Sequence, residues 1–365
     1  MLDELAGSWR GRGLNLIARP EFQGEANLYL QINATHETLQ FTPIGAPIVD
    51  RGLAEADVEL HGLTYVDTVT DAVNGGELHF ETGIWTARRP TVGQPSNAEA
   101  SQVVARMASI PHGNALLAQG TAVPLRAEFP TLRTRSAQYA GSAFPSFNTT
   151  PFRAARPPGS PPINAAGSSL KLTAPALPRP VVPFPQYDLA IPVSATNPRT
   201  PFGSTPAKRT LPAAIDGVPM QDVINDPITL LQAVIRRQRA IGHTFSGTAI
   251  NIATQQRLTF LTTKNVPTGP RTSVSVAGGA GGIENSLFLE GGQPTGPNGP
   301  NAEAVLMYGT LWIEQVKPPG QASFPQLQYA QMTVLNFELL KSLPAKHVNL
   351  GWPHVSVGTL TRAPR

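Results

Sequence analysis

The stretch Gly7-Ser8-Trp9-Arg10-Gly11-Arg12-Gly13 decides how the rest of the chain is read. Its period is two. In an extended strand Gly7, Trp9, Gly11 and Gly13 share one face, while Ser8, Arg10 and Arg12 share the other. An indole followed by two missing side chains suits the inner wall of a small β-barrel. Trp9 would plug the floor, and Gly11 and Gly13 would leave space above it or let the strand bend. The arginines would then face water. Taken alone, the motif reads more simply as an N-terminal strand with glycines for twist.

Further short strands follow. Residues 26–32, 37–42, 57–70 (broken near Gly62), 77–85, 102–110 and 115–121 alternate apolar and polar, with turn residues such as Gly75-Gly76 and Pro111-His112-Gly113-Asn114 between them. Alternation resumes at 245–252, 257–262, 283–289, 304–316 and 326–337, and ends at about 354–361. The spacing predicts a mainly β fold, an antiparallel sandwich or barrel. Composition agrees: 37 Pro and 33 Gly with only 14% charged residues favour strands, turns and long loops over helices.

One helix is expected over 226–241. Asp226 caps it, Pro227 takes the first helical position, and Ile228, Leu231, Val234 and Ile235 form one apolar stripe. Arg236, Arg237 and Arg239 complement the dipole at its C-terminal end.

Residues 122–220 differ in character. Between 121 and 220 lie 19 of the 37 prolines, with ten Lys or Arg against three acids, so this window carries +7 and the remainder −3. Such composition usually means a linker. Eight aromatics, among them Phe129, Tyr139, Phe152 and Tyr187, argue instead for a segment pinned across a barrel built from 5–121 and 245–362. The expectation is an insertion in one domain, placed to cap a barrel mouth or to form the interface of a homo-oligomer.

The net charge of +4 is scattered, without the basic run and interleaved aromatics of a nucleic-acid binder. The absence of Cys excludes disulfides and thiolate-held metals. Residues 1–5 lack the pattern of a signal peptide, and no apolar run approaches the roughly 20 residues of a membrane helix. A soluble, cytoplasmic protein with a small-molecule ligand is the expectation, with neither nucleic acid nor membrane as partner.

Three segments together resemble a known family. The opening fits G-x-W-x-G-x-G, a signature of the nitrobindin-like haem proteins, including the haem domain of THAP-type proteins. Leu78-His79-Phe80-Glu81-Thr82-Gly83-Ile84-Trp85 is similar to that family's L-H-x-E-x-G-aromatic strand, and Val103 to Gly120 to its next hairpin. His354-Val355-Ser356-Val357-Gly358-Thr359-Leu360-Thr361-Arg362 resembles the closing H-L-x-A-x-L-x-R strand, with Tyr329 and Met332 resembling the L-x-Y…M segment before it. The resemblance covers roughly residues 5–120 and 300–362. It implies a closed antiparallel barrel of about ten strands, related to fatty-acid-binding proteins and lipocalins. It also implies haem b at one mouth, with iron held by His354, reversible binding of NO and isomerisation of peroxynitrite to nitrate.

The residues themselves carry several candidate roles. His354 shares a face with Ser356 and Gly358, small residues that leave room for a flat macrocycle, and a neutral imidazole is an ordinary haem ligand. Its alternative is a strand-end histidine bonded to a loop. His112 sits in a hairpin turn, where exposure is usual, but at a barrel mouth it could shuttle a proton as general base and then acid, giving a peroxidase-like activity. His79 and Glu81 share a strand face, either as an outward polar pair or as a pocket histidine held by a carboxylate. Trp9, Gly11 and Gly13 would shape the cavity. There is no H-E-x-x-H, nucleophile elbow, P-loop or dinucleotide fingerprint. The rival readings are a non-catalytic carrier of an apolar molecule in the same barrel, and an interaction protein whose insertion is the working part.

Overall fold

The computed structural model describes residues 1–19, 29–51, 57–88, 102–125, 152–153, 171–172, 189–190, 192, 211–254, 258–263, 273–277, 281–286, 303–339 and 348–364. Ten long strands build the fold: β1 (Gly7–Arg19), β2 (Tyr29–Pro43), β3 (Val58–Asp71), β4 (Glu77–Arg88), β5 (Gln102–Ile110), β6 (Asn114–Leu125), β7 (Thr244–Ala253), β8 (Glu303–Lys317), β9 (Phe324–Leu339) and β10 (Val348–Arg362). Each pairs antiparallel with the next. β10 returns to β1, with Trp9 opposite Arg362 and Ile17 opposite His354, so the sheet closes into an up-and-down barrel without a free edge among these ten. The insertion leaves after β6 and returns at β7, yet these two strands pair directly, Gly120 opposite Ile252. Most of 122–220, including Phe129, Tyr139 and Tyr187, lies outside the described residues, as do parts of the expected strands at 26–32, 257–262 and 283–289.

Several boundaries differ from the sequence reading. Residues 26–32 and 37–42 were expected to be separate strands, but one strand, β2, runs through 33–36. There the inward positions are polar yet buried: Asn33 is 1% and Thr35 2% exposed. β3 continues through Gly62, whose missing Cβ makes room for the Ile44 and Ile48 side chains, at 2.7 and 2.9 Å from where it would stand. β10 begins before His354 and takes in Trp352-Pro353.

The wall has a core on each side. Inside, Trp9, Phe41, Leu63, Trp85, Leu311 and Leu327 pack together, and the 3-10 turn Leu2–Leu5 closes one end. Trp9 Nε1 donates to Leu5 O at 2.6 Å, and the Arg362 guanidinium lies 4.8 Å over the indole while donating to Glu4 O. This anchored indole is the floor expected of Trp9. Arg10 and Arg12 are exposed, as the alternation required.

Outside, Leu14, Leu16, Leu30, Ile32, Trp312 and Met332 are covered by two helices, α1 (Met220–Asn225) and α2 (Ile228–Ala240). α2 starts one residue later than the sequence suggested. Pro227 is its N-cap, and Asp226 Oδ1 accepts from the Ile228 N–H at 3.2 Å. Ile228, Leu231 and Ile235 are buried with Leu230 and Ala233, whereas Val234 is half-buried. Polar bonds also seat this helix on the wall. Gln238 Nε2 donates to Gln326 Oε1 at 2.7 Å, Gln326 Nε2 to Glu314 Oε2 at 2.6 Å, and Gln328 Nε2 to Leu231 O at 3.3 Å.

Gly11 and Gly13 answer to the neighbouring strand rather than to the cavity. A Cβ at Gly11 would collide with Thr359 O, and one at Gly13 with Val357 O, because the β10 backbone crosses tightly there. Gly120 is the same case against Asn251 O on β7. Gly120→Ala should therefore lower stability by about 1–3 kcal/mol by prying β6 from β7, read from urea melts.

Candidate functional site: a cavity inside the barrel

Above the Trp9 floor the inner wall parts around a cavity of about 440 Å³, within the size range of small-molecule sites. Period-two alternation fixes its lining. β1 contributes Asn15 and Ile17; β2 Glu37, Leu39 and Phe41; β3 Tyr65, Asp67 and Val69; β4 His79, Glu81 and Trp85. Across from them stand Arg106 on β5, Leu116 on β6, Met307 and Leu311 on β8, Tyr329 and Gln331 on β9, and His354 and Ser356 on β10.

His354 is placed by pairing on both sides, opposite Ile17 and Thr333. Its Nε2 is buried and has no hydrogen-bond partner among the described residues. The imidazole titrates at about 4, pushed down first by burial and then by the charges of His79 and His112, so it is neutral at physiological pH with a lone pair available. Two residues on, Ser356 Oγ donates to Asn15 Oδ1 at 2.7 Å. At Gly358 a Cβ would collide with the Tyr329 ring, so that glycine makes room for a tyrosine rather than for a ligand.

His79 and His112 meet at the wall, their rings stacked at 20° with centroids 5.8 Å apart. His79 Nε2 lies 3.2 Å from Glu81 Oε2, which gives the inward arrangement of this pair rather than the outward one. His112 lines the cavity from its turn, Thr-free and short, held by Gly113 N–H donating to Ile110 O at 2.9 Å. Burial, and then the charge of His79, lower its pKa. Trp9, Gly11 and Gly13 are not among the lining residues; they build the barrel below and beside the cavity.

Sequence reasoning missed the polar centre. Arg106 donates through Nε and Nη2 to Glu81 Oε1 (3.1 Å from Nε) and through Nη1 to Gln331 Oε1 at 2.7 Å. Tyr65 OH donates to Glu81, and the guanidinium lies 5.7 Å from the Trp85 ring. Arg106 holds Glu81 ionised against burial, at about pKa 2. Two further acids share this interior. Glu37 is raised to about 7, mainly by burial, although Tyr329 OH donates to its Oε2 at 2.6 Å. Asp67, directly opposite Glu81 in the β3–β4 register, is raised well above the carboxylate range by burial and by the charges of Glu37 and Glu81. The available signal was a charge on an apolar face: Glu37 alternates with Leu39 and Phe41, Asp67 with Leu63 and Tyr65, and Arg106 with Val104 and Ala108.

Fold and site together define a closed ten-stranded antiparallel barrel with an internal, partly polar cavity and a neutral histidine at its wall. No protein-family model and no curated protein matches the chain. Among solved structures it is similar to the crystal structure of Rv2717c from M. tuberculosis, with 12% identity, coverage of 100% of this chain and 95% of that one, and a TM-score of 0.33. A likeness that low bears on neither fold nor function. No helix among the described residues is long and apolar enough to cross a membrane.

Proposed function

We propose that the barrel binds haem b, with His354 Nε2 as the protein's ligand to iron and with NO, peroxynitrite or peroxide as the small molecules acted on. One observation carries this reading: a half-buried, neutral imidazole at the cavity wall whose buried Nε2 has no hydrogen-bond partner among the described residues. No group of three or more His, Asp or Glu suited to a bare metal ion occurs among the described residues, whereas a porphyrin needs only one protein donor. The cavity's apolar side, with Ile17, Leu116, Met307 and Leu311, suits a macrocycle's face.

When bound, the group would supply a redox-active iron able to take small ligands. The chain's contribution is positional and protonic. Pairing to β1 and β9 fixes the β10 backbone that carries His354, and its low pKa keeps the ring neutral, with one of its two nitrogens free of a proton. Glu81 orients His79. His112, disfavoured as a cation, is suited to take a proton from a peroxide at a ring nitrogen and return it.

Absorption spectroscopy of the full chain with haem supplied tests the reading. The expected result is a Soret band that His354→Ala weakens, with haem affinity falling at least about tenfold. A parent protein without a Soret band would overturn the haem reading. The same apolar wall would then favour a non-catalytic carrier of an apolar small molecule.

A further inference from the structure

Among the described residues the polar centre sets three carboxyl groups against one guanidinium. Glu37, Asp67 and Glu81 stand on three successive strands facing the same interior, where like charges placed opposite one another cost stability. Arg106 is the guanidinium beside them, and its Nε, Nη1 and Nη2 each donate to Glu81, Tyr65 or Gln331 rather than to Glu37 or Asp67. Tyr329 supplies one bond, to Glu37 Oε2. Glu37 Oε1 and Asp67 Oδ1 remain buried and without a hydrogen-bond partner among the described residues, and Glu37 as a whole is only 4% exposed. Both residues line the cavity. Buried acceptors in folded proteins are nearly always met, so two unmet in one cavity point to a donor that arrives from outside.

We propose that Glu37 Oε1 and Asp67 Oδ1 form a cation subsite inside the barrel, built to receive the protonated amine or amidine of a small ligand whose apolar body lies along Leu116, Met307 and Leu311. A protonated amine brings both things the cluster lacks: N–H donors for the two free oxygens and a positive charge beside three carboxyls. A neutral hydroxyl supplies only a donor. The two oxygens are distinct from the imidazole of His354, but the ligand's body would take the wall that a haem would also use, so the two are alternative occupants of one cavity and the subsite does not rest on haem binding.

Protonation of the pair opposes the cation. Glu37 and Asp67 are faced by His79 and Glu81 from β4, Arg106 from β5 and Tyr329 from β9. Because burial holds Glu37 near 7, the subsite gains negative charge as pH rises through that value, and cation binding strengthens in the same direction.

The test compares benzylamine, which is cationic throughout this range, with benzyl alcohol, its neutral counterpart, by calorimetry on the full chain purified without haem. Benzylamine should bind at least about tenfold more tightly at about pH 8, with the preference shrinking by about pH 6. Glu37→Gln and Asp67→Asn, singly, should each cut the preference at least about threefold, and together remove it. Either single variant decides if the double one does not fold. Equal binding of the two probes, or a preference that survives in the folded variants, overturns the subsite. Neither outcome touches the Soret experiment, so the two proposals fail separately.

Discussion

Replacing Arg106 by Met should cost roughly 3–5 kcal/mol of stability, among the largest effects expected of any single change in this barrel. The guanidinium is buried, and its loss strands the Glu81 carboxylate, 1% exposed, beside two other acids. Met keeps much of the volume, so the deficit reports charge rather than a cavity. The pH dependence identifies the cause. Glu81 is held at about 2 against an ordinary 4.5, so its contribution is present in full above about 4.5 and disappears as pH falls through about 2. Without Arg106 that depression is gone, and the folded state would protonate Glu81 instead. Urea melts should therefore show a parent-to-variant gap that is wide at about pH 7 and narrows toward about pH 3. Glu81→Met added to Arg106→Met should recover more than half of the loss, because the Glu81 charge that Arg106 paired is then gone as well. A gap independent of pH would assign Arg106 a packing role only.

This centre also shows which parts of the site the sequence exposed. The container was legible because strands report themselves by alternation, and Trp9 on the face of Leu39 and Leu63 is an apolar residue where an apolar residue belongs. His79 and His354 drew notice because the stretches around them resemble a family's motifs. Glu37, Asp67 and Arg106 come from three strands, far apart in sequence, and each looks like one irregular position in an otherwise regular pattern. Their meaning appears only with the register that puts Asp67 opposite Glu81 and within electrostatic reach of Glu37. The glycines failed differently. The pattern reads Gly11 and Gly13 as space above Trp9 or as a bend in the strand, because it says which face a residue occupies, not how closely the next strand passes. The close approach of Thr359 O and Val357 O comes from the coiling of β10 across β1, a property of the closed barrel as a whole. The outer apolar face of β1, with Leu14, Leu16 and Ala18 buried beside inward Asn15 and Ile17, likewise makes sense only once the α1–α2 segment covers it.

That cover predicts the second large effect. Glu314 is fully buried on the outer side of β8, and burial raises it to about 8 despite the bond from Gln326. Below about 4.5 the folded and unfolded states both hold its proton, and its stabilising contribution is intact. Between about 4.5 and 8 the unfolded chain releases a proton that the folded chain keeps, so stability falls as pH rises, by on the order of 4 kcal/mol in all. Glu37, raised for its own reasons, adds a slope of the same sign, so the variant rather than the parent curve isolates Glu314. Glu314→Gln keeps an acceptor for Gln326 and removes the titration. Its stability should match the parent at about pH 5 and exceed it by several kcal/mol at about pH 9. Location adds a second readout. Glu314 reaches α2 through Gln326 and Gln238, so ionisation should loosen that helix before the barrel. Trypsin should then cut after the exposed Arg236, Arg237 or Arg239 faster at about pH 9 than at about pH 7.5, beyond the protease's own pH response, and Glu314→Gln should suppress the increase. Cleavage that accelerates equally in both proteins would mean that helix docking is indifferent to this carboxyl.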